Sequence, residues 1–437
     1  MRELSAGRSR LPRNARARLF VTFLNRFVYF MLTPLMAVTF ARDFGAARAG
    51  FLLAVIVVVT MAATFVGGHL SDSRGRRPVL LGSELGVVVA FAGITLAHSA
   101  LLHSPVLTYC CFLLSSVMSG LGYPANDAAM MDVATPETRV AIYTASYWLS
   151  NLGFALGAAV GGALYAAHFF LLAVIGLVLA VVCWLTTLVA VTETRVAVPS
   201  ARDGRLLSGV RAAALGYRQS ITDRPYLQLL AAAVLITAIE MQLTYYLGIQ
   251  LAHDFRPQEL FQIGWWRLQL DGVGMLSTLR ILNAALVVIL AVVLRRLTAK
   301  LSDGVLLYGG LGLFVAGFVG LAVTRDPWPL IALTVVFTVG ELLNVPIRQV
   351  LLAEVVDPAK RATYMALYGL RPRLAALLAS FSVVLGAFLP PVAMGGSFAL
   401  MGAAAAVLIR RTADSVRQRS ERTALPSGDA RATLGTS

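Results

Sequence analysis

Twelve runs of about 20 apolar residues, separated by short segments that collect arginine, leave this 437-residue chain few ways to fold. A helix of about 20 residues covers the roughly 30 Å of a bilayer's hydrocarbon, because only a helix satisfies every backbone group within itself there. The runs fall at residues 19–41, 48–70, 78–99, 106–131, 142–165, 168–191, 225–252, 274–297, 304–324, 327–352, 362–387 and 392–410. Charged residues make up 14% of the chain, against about 25% in a soluble protein, so lipid is the expected solvent.

The net charge is +15, and the basic residues gather mainly in the breaks and at the two ends. Arg74, Arg76, Arg77, Arg139, Arg295, Arg296, Lys300, Lys360, Arg361, Arg410 and Arg411 all fall on one face of a twelve-span topology, together with the N-terminal arm and segment 193–224. The positive-inside rule makes that face cytoplasmic and puts both termini there. Charge distributed in this way gives no reason to expect a nucleic-acid partner. Cys110, Cys111 and Cys183 lie inside apolar runs with no ligand set around them and read as small buried hydrophobes. The first apolar run is too long for a cleaved secretory signal and reads as a span.

Segment 193–224 is the longest polar break and divides the spans six and six. The expected organisation is a basic arm (1–18), a first six-helix bundle (19–192), a cytoplasmic linker with an amphipathic helix near 206–217 (193–224), a second bundle (225–410) and a disordered tail (411–437). Residues 253–274 are assigned to the outside, with Phe261, Trp265 and Trp266 as an interfacial anchor or part of a lid. A repeat supports the division. Pro124, Asp132, Pro136 and Arg139 recur 222 positions later as Pro346, Glu354, Pro358 and Arg361. Two parallel repeats of this kind place a substrate between them near the midplane and predict an all-α membrane protein of two pseudo-symmetric bundles.

Between the second and third runs, residues 68–77 read GHLSDSRGRR. Gly68 and Gly75 allow a tight reversal, Asp72 places an acid at a helix end, and Arg74, Arg76 and Arg77 hold the turn on the cytoplasmic side. The pattern G-x-L-S-D-x-R-G-R-R resembles the loop between helices two and three of the major facilitator superfamily. The resemblance extends over residues 15–412. It implies a conformational lock: Asp72 would face the start of the eleventh span, and Arg76 would bridge Asp72 to an acid at the end of the fourth, here Asp132. The corresponding loop of the second half, residues 295–300, lacks the acid and the glycines.

In the fifth span Gly153, Gly157, Gly161 and Gly162 present small residues for close helix contact. This is similar to the antiporter motif of drug:proton exporters, G-x-x-x-G-P-x-x-G-G, with Ala158 where that motif has proline. Ionisable residues within spans are functional candidates because they are expensive to keep there. Glu341 is the first choice for a proton carrier and Glu240 the second. Arg371 is placed to hold Glu341 ionised when the site is empty. Arg371 and Arg373 stand about 200° apart on a helix, so one of them alone is expected to face a cavity. Asp127 is a further proton-coupling candidate with Arg26 or Arg348 as partner, and Asn25, Arg26, Trp148, Tyr245 and Tyr246 are cavity candidates. Structural pairing and aromatic core packing are the competing uses.

The sequence carries no P-loop, metal cluster or nucleophile constellation, so no enzyme activity and no cofactor are expected, and a proton gradient is the expected energy source. The resemblance implies a monomeric proton-coupled exporter of small amphipathic compounds in a bacterial cytoplasmic (inner) membrane, contacting substrate, protons and lipid. An uptake symporter or a specific metabolite or lipid exporter of the same fold is the alternative.

Overall fold

The computed structural model describes residues 12–133, 138–193, 222–263, 266–298, 301–356 and 361–424. The proposed linker helix at 206–217, Trp265, Lys300, Lys360, Pro136 and Pro358 lie outside these residues, as do the side chains of Phe261, Trp266, Arg139, Arg295, Arg296 and Arg361.

Helices α1 (Arg13–Phe44), α2 (Ala46–Arg74), α3 (Arg76–Ala97) and α4 (Pro105–Val133) are long single rods. A two-stranded turn, β1 (His98–Ser99) and β2 (Leu102–His103), joins α3 to α4. Helix α5 (Arg139–Ala190) holds 52 residues, which would reach about 78 Å if straight. It breaks at His168 (φ −139°, ψ 46°). The chain reverses there, because α1 runs parallel to the first arm and antiparallel to the second. Gly153 and Gly161 meet Phe23 and Leu35 respectively, whereas Cys183 packs on Val21 and Leu24 and Gly176 on Leu32.

In the second half the seventh span is interrupted. Helix α6 (Arg224–Met241) and α7 (Tyr246–Asp254) are separated by residues 242–245, where the sequence predicts one continuous span. Strands β3 (Gln258–Ile263) and β4 (Trp266–Leu270) then form an antiparallel hairpin, pairing Gln258 with Leu270 and Ile263 with Trp266. The expected anchor of residues 253–274 is thus built on paired strands, and the all-α expectation is corrected by two small hairpins. Helix α8 (Gly272–Thr298), a π-turn (Val305–Gly309) leading into α9 (Gly310–Val323), and α10 (Pro327–Val355) follow. The eleventh span is also divided, into α11 (Arg361–Tyr368) and α12 (Arg371–Gly386). Pro372 supplies the reason, since its ring clashes with the carbonyl of Tyr368 and it lacks the N–H for that bond. Helix α13 (Pro391–Ala424) continues past residue 411, so the described part of the expected disordered tail is helical.

Ten helices are long and apolar enough to cross a membrane among the described residues. Leu400, Val392 and Phe388 are each more than 70% exposed on the outside of the molecule, a surface that lipid can cover and water cannot. The largest buried apolar cluster draws only on residues 226–409, from Tyr226 to Ile409. The second runs from Met31 to Ala180 and adds Val273.

The two parts meet through α2 against α12 and α5 against α8. Gly50 lies under Ser380 and Val384, where a Cβ would come within 2.8 Å of the Ser380 carbonyl. Gly162 likewise has Ser277 directly over it. Without a hydrophobic drive between helices in lipid, close van der Waals approach holds such contacts. Gly157 shows how close: a Cβ there would collide with the Phe27 carbonyl and reach 3.0 Å from the Met31 nitrogen. Gly157→Leu is therefore expected to cost upwards of about 3 kcal/mol and to remove most monodisperse protein from membrane extracts in fluorescence size-exclusion profiles. Gly312→Leu, with open space around it, is expected to leave the profile unchanged.

Candidate functional site

Polar residues that hydrocarbon would reject converge in the middle of the fold. Glu240 is the second-last residue of α6, just before the unwound segment 242–245. Protein surrounds its side chain at depth, yet a water-sized probe reaches it, so it lines an internal cavity. Glu341 on α10 accepts a long hydrogen bond (3.5 Å) from Asn283 of α8, which also donates to Thr338 at 2.9 Å. Arg348 follows seven residues later on the same helix face, within electrostatic range of both Glu240 and Glu341. Arg371 opens α12; its guanidinium stacks 4.9 Å from the Tyr368 ring centre and donates to the Tyr368 hydroxyl at 3.0 Å.

This corrects one expected pairing. Arg371 acts on Glu240, while the cation in reach of Glu341 is Arg348, because Tyr368 draws the Arg371 side chain back towards α11. The four charges approach one another without closing an ion pair within 4.0 Å among the described residues. The Glu240 carboxyl and the second oxygen of Glu341 are left open to a proton or a ligand. Glu240 and Glu341 also act on each other, so adding a proton to one relieves repulsion on the other.

The opposite wall comes from the first half. Arg26 on α1 lies within electrostatic range of Asp127 of α4, and Tyr123, one turn before Asp127, hydrogen bonds to it. Of the two partners the sequence offers Asp127, the structure therefore brings Arg26. Asn25, Tyr29 and Trp148 expose their side chains. Arg373 reaches towards Tyr123 and Tyr29, so both Arg371 and Arg373 face the cavity from opposite flanks of α12. The 200° separation holds, but the cavity has walls on both sides of the helix. Tyr245 pairs with Ser380. Tyr246 is 6% exposed and packs on Gly386 and Phe398 in the core, away from the cavity.

At the other end of the first half, Arg76 binds Asp72 at 2.7 Å, Asp132 at 3.4 Å and Ser71 at 2.9 Å. The start of the eleventh span that the lock would engage carries side chains outside the described residues. Glu193, which sequence reasoning missed, accepts hydrogen bonds from the backbone N–H groups of Arg76 (3.0 Å) and Arg77 (2.9 Å). A carboxylate there satisfies two free donors and the helix dipole of α3 together. Arg77 in turn donates to the Leu188 carbonyl at 2.9 Å.

Gly75 makes the fit possible. Its φ of +96° is strained for any other residue, and a Cβ would lie 2.8 Å from a Glu193 oxygen. Gly68, by contrast, lies inside α2 with its nearest neighbour at 3.9 Å. Gly75→Ala is expected to cost about 1–2 kcal/mol, visible as a lower thermal midpoint of the purified protein, and Gly68→Ala much less.

No group of three or more metal-ligating side chains occurs among the described residues. What the arrangement offers is a polar cavity lined from both parts of the chain, with two carboxyl groups on one wall. The family model for the major facilitator superfamily matches residues 18–380. A Na(+), Li(+), K(+)/H(+) antiporter of Planococcus maritimus is 25% identical over 396 residues, 89% of this chain and 92% of that protein. The multidrug resistance protein MdtH of Salmonella arizonae is 27% identical over 161 residues, 36% of this chain and 38% of that protein. Among solved structures, a peptide transporter POT in complex with sulfate superposes with a TM-score of 0.71 at 17% identity, covering 95% of this chain and 96% of that one. These relatives are membrane transporters and none is an enzyme; the chain belongs to the major facilitator superfamily, as a multi-pass membrane transporter.

Proposed function

We propose that the protein is a proton-coupled secondary active transporter that exports small amphipathic compounds across the cytoplasmic membrane of a bacterium. The observation that carries this reading is the pair Glu240 and Glu341, open carboxylates in an internal cavity with Arg348 and Arg371 at electrostatic range. A proton arriving at the pair releases the arginines from their counter-charges, and substrate binding returns them, so the two ligands compete for one charge balance.

Under the positive-inside orientation both termini are cytoplasmic, and the chain works as a monomer of two six-helix bundles. The contacts of Gly50 with Ser380 and of Gly162 with Ser277 then lie at the outer ends, so the cavity faces the cytoplasm. Alternating access is a rocking of the bundles, with Arg76, Asp72 and Asp132 forming the lock that engages when the inner ends close. The energy comes from the proton gradient and no bound cofactor is needed.

The full-length similarity to the Planococcus antiporter favours a second reading, exchange of monovalent metal cations for protons. Vesicles containing the purified protein, acid inside and loaded with a pH dye, separate the two. Adding norfloxacin, an amphipathic zwitterion, is expected to discharge the gradient, while Na+ or K+ at equal ionic strength leaves it standing. Discharge by Na+ or K+ alone would establish the second reading.

A further inference from the structure

A second set of charges remains after Glu240, Glu341, Arg348 and Arg371 have been assigned. Tyr29, one turn after Arg26 on α1, is 52% exposed although protein surrounds it, so its ring lines the same cavity. The guanidiniums of Arg26, Arg280 and Arg373 all lie within electrostatic range of its hydroxyl. They come from α1, α8 and α12, and so from both halves.

Among the described residues, Arg26 alone of the three has a carboxylate in reach, Asp127, which Tyr123 also engages. The electrostatic neighbour of Arg280 is Tyr29, and those of Arg373 are Tyr123 and Tyr29; among the described residues neither has an acid beside it. Arg280 is 5% exposed, donates one hydrogen bond to Thr244 in the unwound segment of the seventh span, and leaves its Nε without a partner. A small gap bordered by Phe30, Pro34 and Leu276 opens beside it. Around the cavity Arg26, Arg280, Arg348, Arg371 and Arg373 stand against Asp127, Glu240 and Glu341, five positive charges against three negative.

We infer that the substrate carries an oxyanion, a carboxylate or a group of like charge and shape, held among Arg26, Arg280 and Arg373 beside Tyr29. A buried guanidinium without a counter-charge is costly, and its fork geometry fits an oxyanion with paired charge-assisted hydrogen bonds. Since the three arginines belong to both halves, an anion among them draws the halves together, which favours the occluded state. This deepens the transport reading and rests on it: the acids of the opposite pole handle the proton, and the arginine pole selects what is carried.

The test uses three probes on one scaffold, 4-phenylbutyrate, 4-phenylbutylamine and 4-phenylbutanol, added to the purified full-length protein at constant ionic strength with no gradient. Thermal stabilisation is followed against concentration. The acid is expected to half-saturate at least tenfold below the amine and the alcohol, a preference of the size that one desolvated arginine contact provides. Arg373→Gln, at a half-buried position, is expected to erase that preference; Arg280→Lys, which keeps the charge but not the fork, is expected to reduce it. Equal binding of all three probes, or an equal loss of all three in Arg373→Gln, would overturn the inference. Because this assay needs no gradient, loss of proton coupling with the acid preference intact would count against the transport reading and leave the anion site standing.

Discussion

Glu341→Gln is expected to lower pH-gradient-driven substrate movement in reconstituted vesicles by at least about 100-fold, the scale on which loss of a proton-transferring group is felt. The substitution is nearly isosteric, and the glutamine oxygen still accepts from Asn283, so the helix contacts of α10 with α8 survive. What disappears is the site where a proton can be gained and lost. Exchange of labelled for unlabelled substrate in the absence of a gradient needs only the rocking motion and is expected to persist. Glu240→Gln removes the counter-charge of both Arg348 and Arg371 and should weaken transport by a smaller factor, with slower exchange as well. If Glu240→Gln alone abolished coupling, the order of the two carboxyls would be reversed.

Joining the outer ends is expected to stop transport altogether. Gly162 and Ser277 face each other across α5 and α8, close enough that any side chain at Gly162 meets Ser277. In a background where Cys110, Cys111 and Cys183 are replaced by alanine, Gly162→Cys with Ser277→Cys should form a disulfide on mild oxidation, since the two positions face each other directly and the helices need only ease apart slightly to reach bridging distance. A protein fixed with its outer ends closed can bind substrate from one side only. Exchange should therefore fall to the level of empty vesicles and return on addition of reductant. Either cysteine alone should transport at a rate that neither oxidant nor reductant changes, which separates the effect of the bridge from crowding at Gly162. Persistent exchange in the oxidised double variant would mean that this contact does not open during transport.

The spans were legible because hydrocarbon thickness sets their length and because arginine marks the breaks. The interruption after Tyr368 could also be anticipated, since Gly369 and Pro372 sit together in a helical run. The one at 242–245 could not: no glycine or proline marks it, and it is stabilised by tertiary contacts of Gln242 with Ser382 and of Thr244 with Arg280. The hairpin at 258–270 was concealed by its aromatic residues, which suit an interfacial position as well as a strand.

The candidate site divides in the same way. Glu240 and Glu341 announce themselves as ionisable groups inside apolar runs, with no knowledge of the fold required. Their partners do not. Asn283 and Tyr29 are ordinary residues of α8 and α1 until packing brings them to the cavity, and Arg280 is one more charge in the first part of α8. Glu193 followed the sixth span as one more polar residue, and only the chain reversal at His168 brings it to the start of α3.

The central claim is that substrate and protons exchange through this cavity. It is tested most directly by recording proton release on substrate addition to vesicles of the wild-type protein, with and without an ionophore that collapses the pH gradient. The account predicts release that scales with substrate, disappears when the gradient is collapsed, and is absent in Glu341→Gln. Transport that continues unchanged after collapse, or proton release that persists in Glu341→Gln, would contradict it.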